Sequence, residues 1–132
     1  MEIVADTSVL IAVIVNEPMK GTLVALTAGA ELIAPPSVHW EIGNALSAML
    51  KRRRITVDQA VQAIYSYQQI PIRFVDVELE EAIQIADALG IYAYDAYLIQ
   101  CALKYKSPLL CLDANLVNAA KRAQARVIEV VP

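Results

Sequence analysis

With 132 residues, 58% of them hydrophobic, and a formal net charge of −3, the chain has room for one domain (1–132) with one sizeable core and too little for two. The negative balance argues against a protein that grips nucleic acid by bulk charge, because neutralising phosphates needs clustered Lys and Arg; a local patch is still allowed. The longest unbroken apolar run, 9–15, is far short of the roughly 20 residues that span a bilayer, and Glu2 and Asp6 precede it where a signal peptide needs a basic flank, so a soluble, cytoplasmic protein is expected.

In chain order, strands and helices alternate. Residues 2–5 form a short apolar strand closed by Asp6, and Thr7-Ser8 opens a helix that Asn16-Glu17-Pro18 stops. A second helix over 19–28 ends near Gly29, and a strand over 31–34 ends at Pro35-Pro36. Ser37 is placed to cap a long helix reaching Arg53. Thr56 with Gln59 makes a capping-box pattern for a helix through residue 69, and Pro71 separates it from a strand over 72–75. Leu79, Ala82, Ile83, Ala86 and Leu89 recur at helical spacing before Gly90, with Glu78, Glu80, Glu81 and Asp87 on the solvated side. A helix over 95–105 is apolar nearly all round and is therefore internal. A strand over 109–112, a short helix carrying Leu116, Ala119 and Ala120, and a strand over 126–131 complete the chain. This rhythm predicts an α/β fold, a three-layer α/β/α sandwich around a five-stranded parallel sheet. Cys101 and Cys111 lack metal-finger spacing and lie in core elements, so they read as reduced, buried thiols.

Three acids stand out by position. Asp6 and Asp113 each follow a short apolar strand, at the carboxyl edge where open α/β sheets place their ligands. Asp95 opens a helix, where unpaired N–H groups and the helix dipole favour a carboxylate. In the long third helix Glu41 and Asn44 lie one turn apart and share a face, so Asn44 is placed to orient the carboxylate; plain exposure to solvent explains the pair equally well. His39, the only histidine, faces elsewhere on that helix, which leaves no Ser/His/Asp triad, and no Gly-rich phosphate loop is present. Lys51, Arg52, Arg53 and Arg54 form the one basic run, read either as a solvated helix end or as a grip on nucleic-acid phosphates. Tyr65, Tyr67, Tyr92, Tyr94 and Tyr97 suit core or interface packing, or stacking on unpaired bases.

Taken together, VADTSVL at the amino end, EIGNAL in the third helix, YDAYLIQCAL and CLDANL resemble the PIN-domain nucleases, and among small single-domain members the VapC-type toxins. The resemblance runs the length of the chain and rests on the ordered set of four acids. It implies that Asp6, Glu41, Asp95 and Asp113 form a metal-binding catalytic site, with Thr7, Ser8 and Asn44 as polar residues behind it. It also implies RNA as substrate and a small cognate antitoxin as partner. A homodimer is expected on two grounds, the resemblance and the abundance of apolar helix surface. Two positions depart from the family pattern: Cys111 stands where a hydroxyl residue is frequent, and Asn115 where some members carry a further acid, which leaves open whether one or two ions bind.

The chemistry also follows from the charges. Two carboxylates about 4 Å apart at an effective dielectric near 20 repel by roughly 4 kcal/mol, so a cluster of four needs a cation or must take up protons. Hard oxygen ligands select Mg²⁺ or Mn²⁺, and the expected reaction is hydrolysis of a phosphodiester by a water that the ion activates. Two other classes compete. A PIN-like module of weak or no activity would act by binding a protein partner, its acids receiving an arginine. A phosphoacceptor receiver domain would show adjacent acids after the first strand and a lysine at the last, and neither is present.

Overall fold

The structure is a computed structural model and describes residues 1–130. The elements run β1 (Glu2–Ala5), α1 (Thr7–Ile14), α2 (Lys20–Thr27), β2 (Glu31–Ala34), α3 (Ser37–Lys51), α4 (Val57–Gln68), β3 (Ile72–Phe74), α5 (Leu79–Leu89), α6 (Ala93–Lys104), β4 (Leu109–Leu110), α7 (Ala114–Arg122) and β5 (Val127–Ile128). Among the described residues the strands form one five-stranded sheet, in the order β3-β2-β1-β4-β5, with every pairing parallel. The predicted α/β/α sandwich is the observed fold.

The strand order places a switch point beside β1. The chain first builds outward from β1 through β2 to β3, then returns to build β4 and β5 on the other side. The helices that follow β1 and β4 therefore diverge at the carboxyl ends of those two strands, the edge where open α/β sheets place their ligands. Side chains alternate across the sheet: Ile3 and Leu110 join Val9, Ala12 and Leu23 on one face, whereas Val4, Leu109 and Ile33 face the larger cluster with Val38, Ile42, Leu98 and Ile99. The apolar character of α6 has the predicted cause, since Ala96, Leu98, Ile99, Gln100, Cys101 and Ala102 are all buried. Burying Leu98 and Ile99 contributes on the order of 1.5–3 kcal/mol each. Gln100, the polar member, accepts from Glu78 N at 3.0 Å and donates to Glu81 Oε2 at 2.9 Å, tying α6 to the start of α5.

Several boundaries differ from expectation. Ser37 does not cap α3: Pro36 already has helical angles (φ −57°, ψ −25°), the turn begins one residue early, and Ser37 Oγ is buried without a hydrogen-bond partner among the described residues. On α5 the buried face is rotated, with Ala82 at its centre and Ile85, Ala86 and Leu89 half-buried, while Leu79 and Ile83 are 61% and 51% exposed. Leu103 on α6 is also exposed. Strand β4 stops at Leu110 because Leu112 N leaves the ladder to donate to Ser8 Oγ at 3.0 Å. Strand β5 covers Val127–Ile128, and the last residue of the expected strand, Val131, lies outside the described residues. Cys101 and Cys111 are free and buried, as expected. Among the described residues no helix is long and apolar enough to cross a membrane.

Candidate active site at the carboxyl edge of the sheet

Asp6 follows the last residue of β1 in an extended conformation (φ −88°, ψ 173°) and caps α1, its Oδ1 accepting from Val9 N at 3.2 Å. Its own N–H donates to Leu110 O at 3.3 Å, which pins the turn to the end of β4. Ser8 Oγ lies 2.8 and 3.0 Å from the two carboxylate oxygens and donates to them, while accepting from Leu112 N. One hydroxyl thus joins the β1 end to the β4 end. Asp113 follows β4 and caps α7, with Oδ1 accepting from Asn115 N at 2.9 Å.

Glu41 comes from the second turn of α3 and is half-buried; its Oε2 accepts from Thr7 Oγ1 at 3.2 Å. Asp95 lies in the first turn of α6, which opens at Ala93, two residues before the expected start. Through-space repulsion links the set in series: Asp6 feels Asp113, Asp95 feels Asp113, and Glu41 feels Asp95. The four acids, drawn from four separate segments, therefore share one electrostatic neighbourhood.

Burial dominates the chemistry of Asp6, Glu41 and Asp95. Loss of solvent pushes the Asp6 carboxyl up to about 6, against opposing hydrogen bonds from Ser8 and Val9 and with the Asp113 charge adding to the rise. Glu41 and Asp95 are raised too, again by burial first, with Thr7 opposing in the case of Glu41 and the neighbouring acid adding in both. The Cys111 thiol is pushed up to about 12 by burial and by Asp6, Asp113 and Asp95, which makes it a neutral wall of the site.

Among the described residues no three His, Cys, Asp or Glu side chains are grouped so that they could hold a metal ion by themselves. Mg²⁺ does not need such a group, since it keeps several waters and takes one or two carboxylates together with substrate phosphate. An oxygen-only set of neighbouring acids, with Asp6 buried, Glu41 and Asp95 half-buried and Asp113 exposed, fits such an ion, and it does not suit a soft metal.

The remaining candidates divide. Thr7 and Ser8 bond to the acids. Asn44 is exposed, and among the described residues its side chain makes no hydrogen bond to Glu41, the polar contact coming from Thr7 instead. Lys51, Arg52, Arg53 and Arg54 are exposed at the far end of α3, about 15 Å along the helix from Glu41 at 1.5 Å per residue. Tyr67 is buried and its hydroxyl lies 2.9 Å from His39 Nδ1, which gives both residues a packing role. Tyr92 and Tyr94 remain exposed beside Asp95.

A cleft of about 380 Å³ extends from Asp95 between the α5–α6 turn and α7, and Tyr92, Asn115, Asn118 and Arg122 line it. Asn118 and Arg122 escape a reading centred on acids; their signal is the helical spacing 115, 118, 122 on α7. A larger cleft of about 460 Å³, between the end of α1 and α4, holds none of the four acids.

The chain matches the family model described as PIN domain over residues 3–122. No curated protein matches it in sequence. Among solved structures it is similar to PAE2754 from Pyrobaculum aerophilum, with 19% identity and a TM-score of 0.73 over 96% of this chain and 83% of that one. VapBC2 from Rickettsia felis, solved bound to a DNA fragment from the promoter, gives 12% identity and a TM-score of 0.69 over 97% and 98%. Mycobacterium tuberculosis VapC20, a sarcin-ricin loop cleaving toxin, gives 20% identity and a TM-score of 0.63 over 89% and 94%. At these identities the likeness to each structure is one of fold.

Proposed function

The chain belongs to the PIN domain family, and from that premise we propose that it is a divalent-metal-dependent endoribonuclease, the toxin of a toxin-antitoxin pair. One observation carries the reading: Asp6, Glu41 and Asp95, far apart in sequence, each have their proton affinity raised by burial and by a neighbouring acid, Asp113 for Asp6 and Asp95, and Asp95 for Glu41, at the carboxyl edge of β1 and β4. Carboxylates gathered where they repel are expected where a cation completes the site. The likeness to VapC20, named as a toxin that cleaves the sarcin-ricin loop, supports RNA as the substrate class. The likeness to VapBC2 supports an antitoxin partner. We also read 1–132 as one cytoplasmic nuclease domain that pairs as a homodimer.

Asp6, Glu41, Asp95 and Asp113 would hold Mg²⁺ or Mn²⁺, which when bound supplies charge neutralisation and an activated water. The protein's own contribution is placement. Ser8 locks the Asp6 carboxylate against the β4 end, and Thr7 occupies one oxygen of Glu41, leaving Oε1 as an acceptor. Cys111 and the strand ends form a dry floor, which strengthens every charge interaction above it. Asn44 is kept as an orienting residue for Glu41 in the substrate complex, and the basic run 51–54 as a contact for RNA phosphates well away from the cut.

The deciding experiment is RNA cleavage with Mg²⁺ or Mn²⁺ by the wild type and by Asp95→Asn. The variant is expected to lose at least about 100-fold in rate, equivalent to ~2.7 kcal/mol of transition-state stabilisation. Equal rates would overturn the site, and a protein that acts only by binding partners would show no cleavage in either form.

A further inference from the structure

We propose that the cleft between the α5–α6 turn and α7 seats the RNA nucleotide next to the scissile phosphate. In this arrangement Arg122 takes its phosphate, Tyr92 lies against its base, and Asn115 and Asn118 read the base edge. The proposal rests on the endoribonuclease reading and adds where the substrate is held and how it is discriminated.

The cleft and the acid cluster share Asp95, so a ligand in one is adjacent to the other. On α7 the residues divide by helical spacing: Leu116, Ala119 and Ala120 are buried, while Asn115, Asn118 and Arg122 stay exposed along one side. Arg122 is the only cation lining the cleft, and among the described residues it makes no ion pair. Its one internal bond is a long one, Nη1 donating to Leu89 O at 3.4 Å. Most of the guanidinium's donors are thus free for a phosphate, the planar anion-binding geometry at which arginine is best. A polyanion approaching four acids has particular need of a cation here.

Tyr92 is 87% exposed at the mouth of the cleft, so its ring is open to a ligand seated there. It is held there by backbone: Gly90 ends α5 in the left-handed region (φ 66°, ψ 39°), and Tyr92 is extended at the start of α6. A ring presented by a fixed turn suits stacking on an unpaired base, which tolerates any base. The side-chain amides of Asn115 and Asn118 make no hydrogen bond among the described residues, and each offers both donors and an acceptor to a base edge. Where a further acid at residue 115 would repel the strand, the neutral amide admits it. The volume of about 380 Å³ falls within the roughly 300–1,000 Å³ of small-ligand sites.

Binding is measured in an Asp6→Asn background without metal, by fluorescence anisotropy of a short labelled RNA over a range of salt. Adding Arg122→Gln is expected to weaken binding about tenfold and to reduce the salt slope by about one phosphate contact, with Arg122→Lys restoring the slope. In the active protein, Tyr92→Leu should raise KM about tenfold with kcat little changed. Asn115→Ala with Asn118→Ala should flatten base preference at one nucleotide flanking the cut in a randomised RNA pool. Tyr92, Asn115 and Asn118 are exposed, so these variants keep the test decisive if Arg122→Gln unfolds. Wild-type cleavage with KM and base preference unmoved by these changes would overturn the cleft while leaving the nuclease reading intact. Arg122-dependent RNA binding by a wild type that cleaves no RNA would support the cleft and overturn the nuclease reading.

Discussion

Replacing the Asp6 carboxylate by an amide separates two things the residue does. As a cap it accepts from Val9 N, and Asn caps a helix about as well as Asp. As a charge it is buried, with its pKa pushed from 3.8 to about 6. A folded-state value above the unfolded one means that the folded protein binds the proton more tightly. Stability without a metal is therefore gained as the pH falls from above 6 towards 3.8, and lost as it rises through 6. The span corresponds to roughly 3 kcal/mol at 1.36 kcal/mol per unit. Glu41 and Asp95 are raised in the same direction. Thermal melts in EDTA should show the wild type more stable at pH 5 than at pH 7.5, and Asp6→Asn more stable than wild type at pH 7.5 with a flatter pH profile. A less stable Asp6→Asn protein would contradict the burial argument. Ser8→Ala removes both the donor to Asp6 and the acceptor for Leu112 N, and should cost about 1–3 kcal/mol in urea unfolding. At this scale Asp6, Asp95 and Asp113 were legible because each stands at the end of a strand or the start of a helix. The partner of Glu41 was not. Helical spacing suggested Asn44, whereas Thr7 lies 34 residues away in sequence and no local period can show it.

Helix starts show how far local chemistry decides an element. At α4 the expected capping box is present in full: Thr56 Oγ1 accepts from Gln59 N at 3.1 Å, and Gln59 Oε1 accepts from Thr56 N at 2.9 Å. Thr56→Ala should lower stability by about 1 kcal/mol without affecting RNA cleavage, and a melt within error of wild type would show that the box is idle. At α3 the same kind of signal misleads, because two prolines preset the backbone and start the turn before Ser37. The case of α5 is different again. Its period was legible but its rotation was not, since Gln100 on α6 holds both Glu78 N and Glu81 and turns Leu79 and Ile83 outward. Periodicity gives a stripe; only the neighbouring element decides which edge of that stripe is covered.

For the molecule as a whole, the alternation of strands and helices was enough to specify a parallel sheet between helical layers, because parallel strands need crossovers. The strand order was not legible, and it is the order that brings the ends of β1 and β4 together. The proposed homodimer belongs to this scale. Trp40, Leu79 and Ile83 are 73%, 61% and 51% exposed, an apolar surface that self-association would cover. Light scattering at micromolar concentration should give twice the monomer mass, and a monomer would refute the pairing.

The order in which the four acids occur along the polypeptide bears on how the chain is made. Asp6 and Glu41 precede the link between α4 and β3, while Asp95 and Asp113 follow it. Synthesis proceeds from the amino end, so a ribosome translating this message carries a chain without the full set of acids through most of the journey. Only when β4 has emerged and slotted in beside β1 does the last of the four carboxylates join the other three, so the proposed site is incomplete until then.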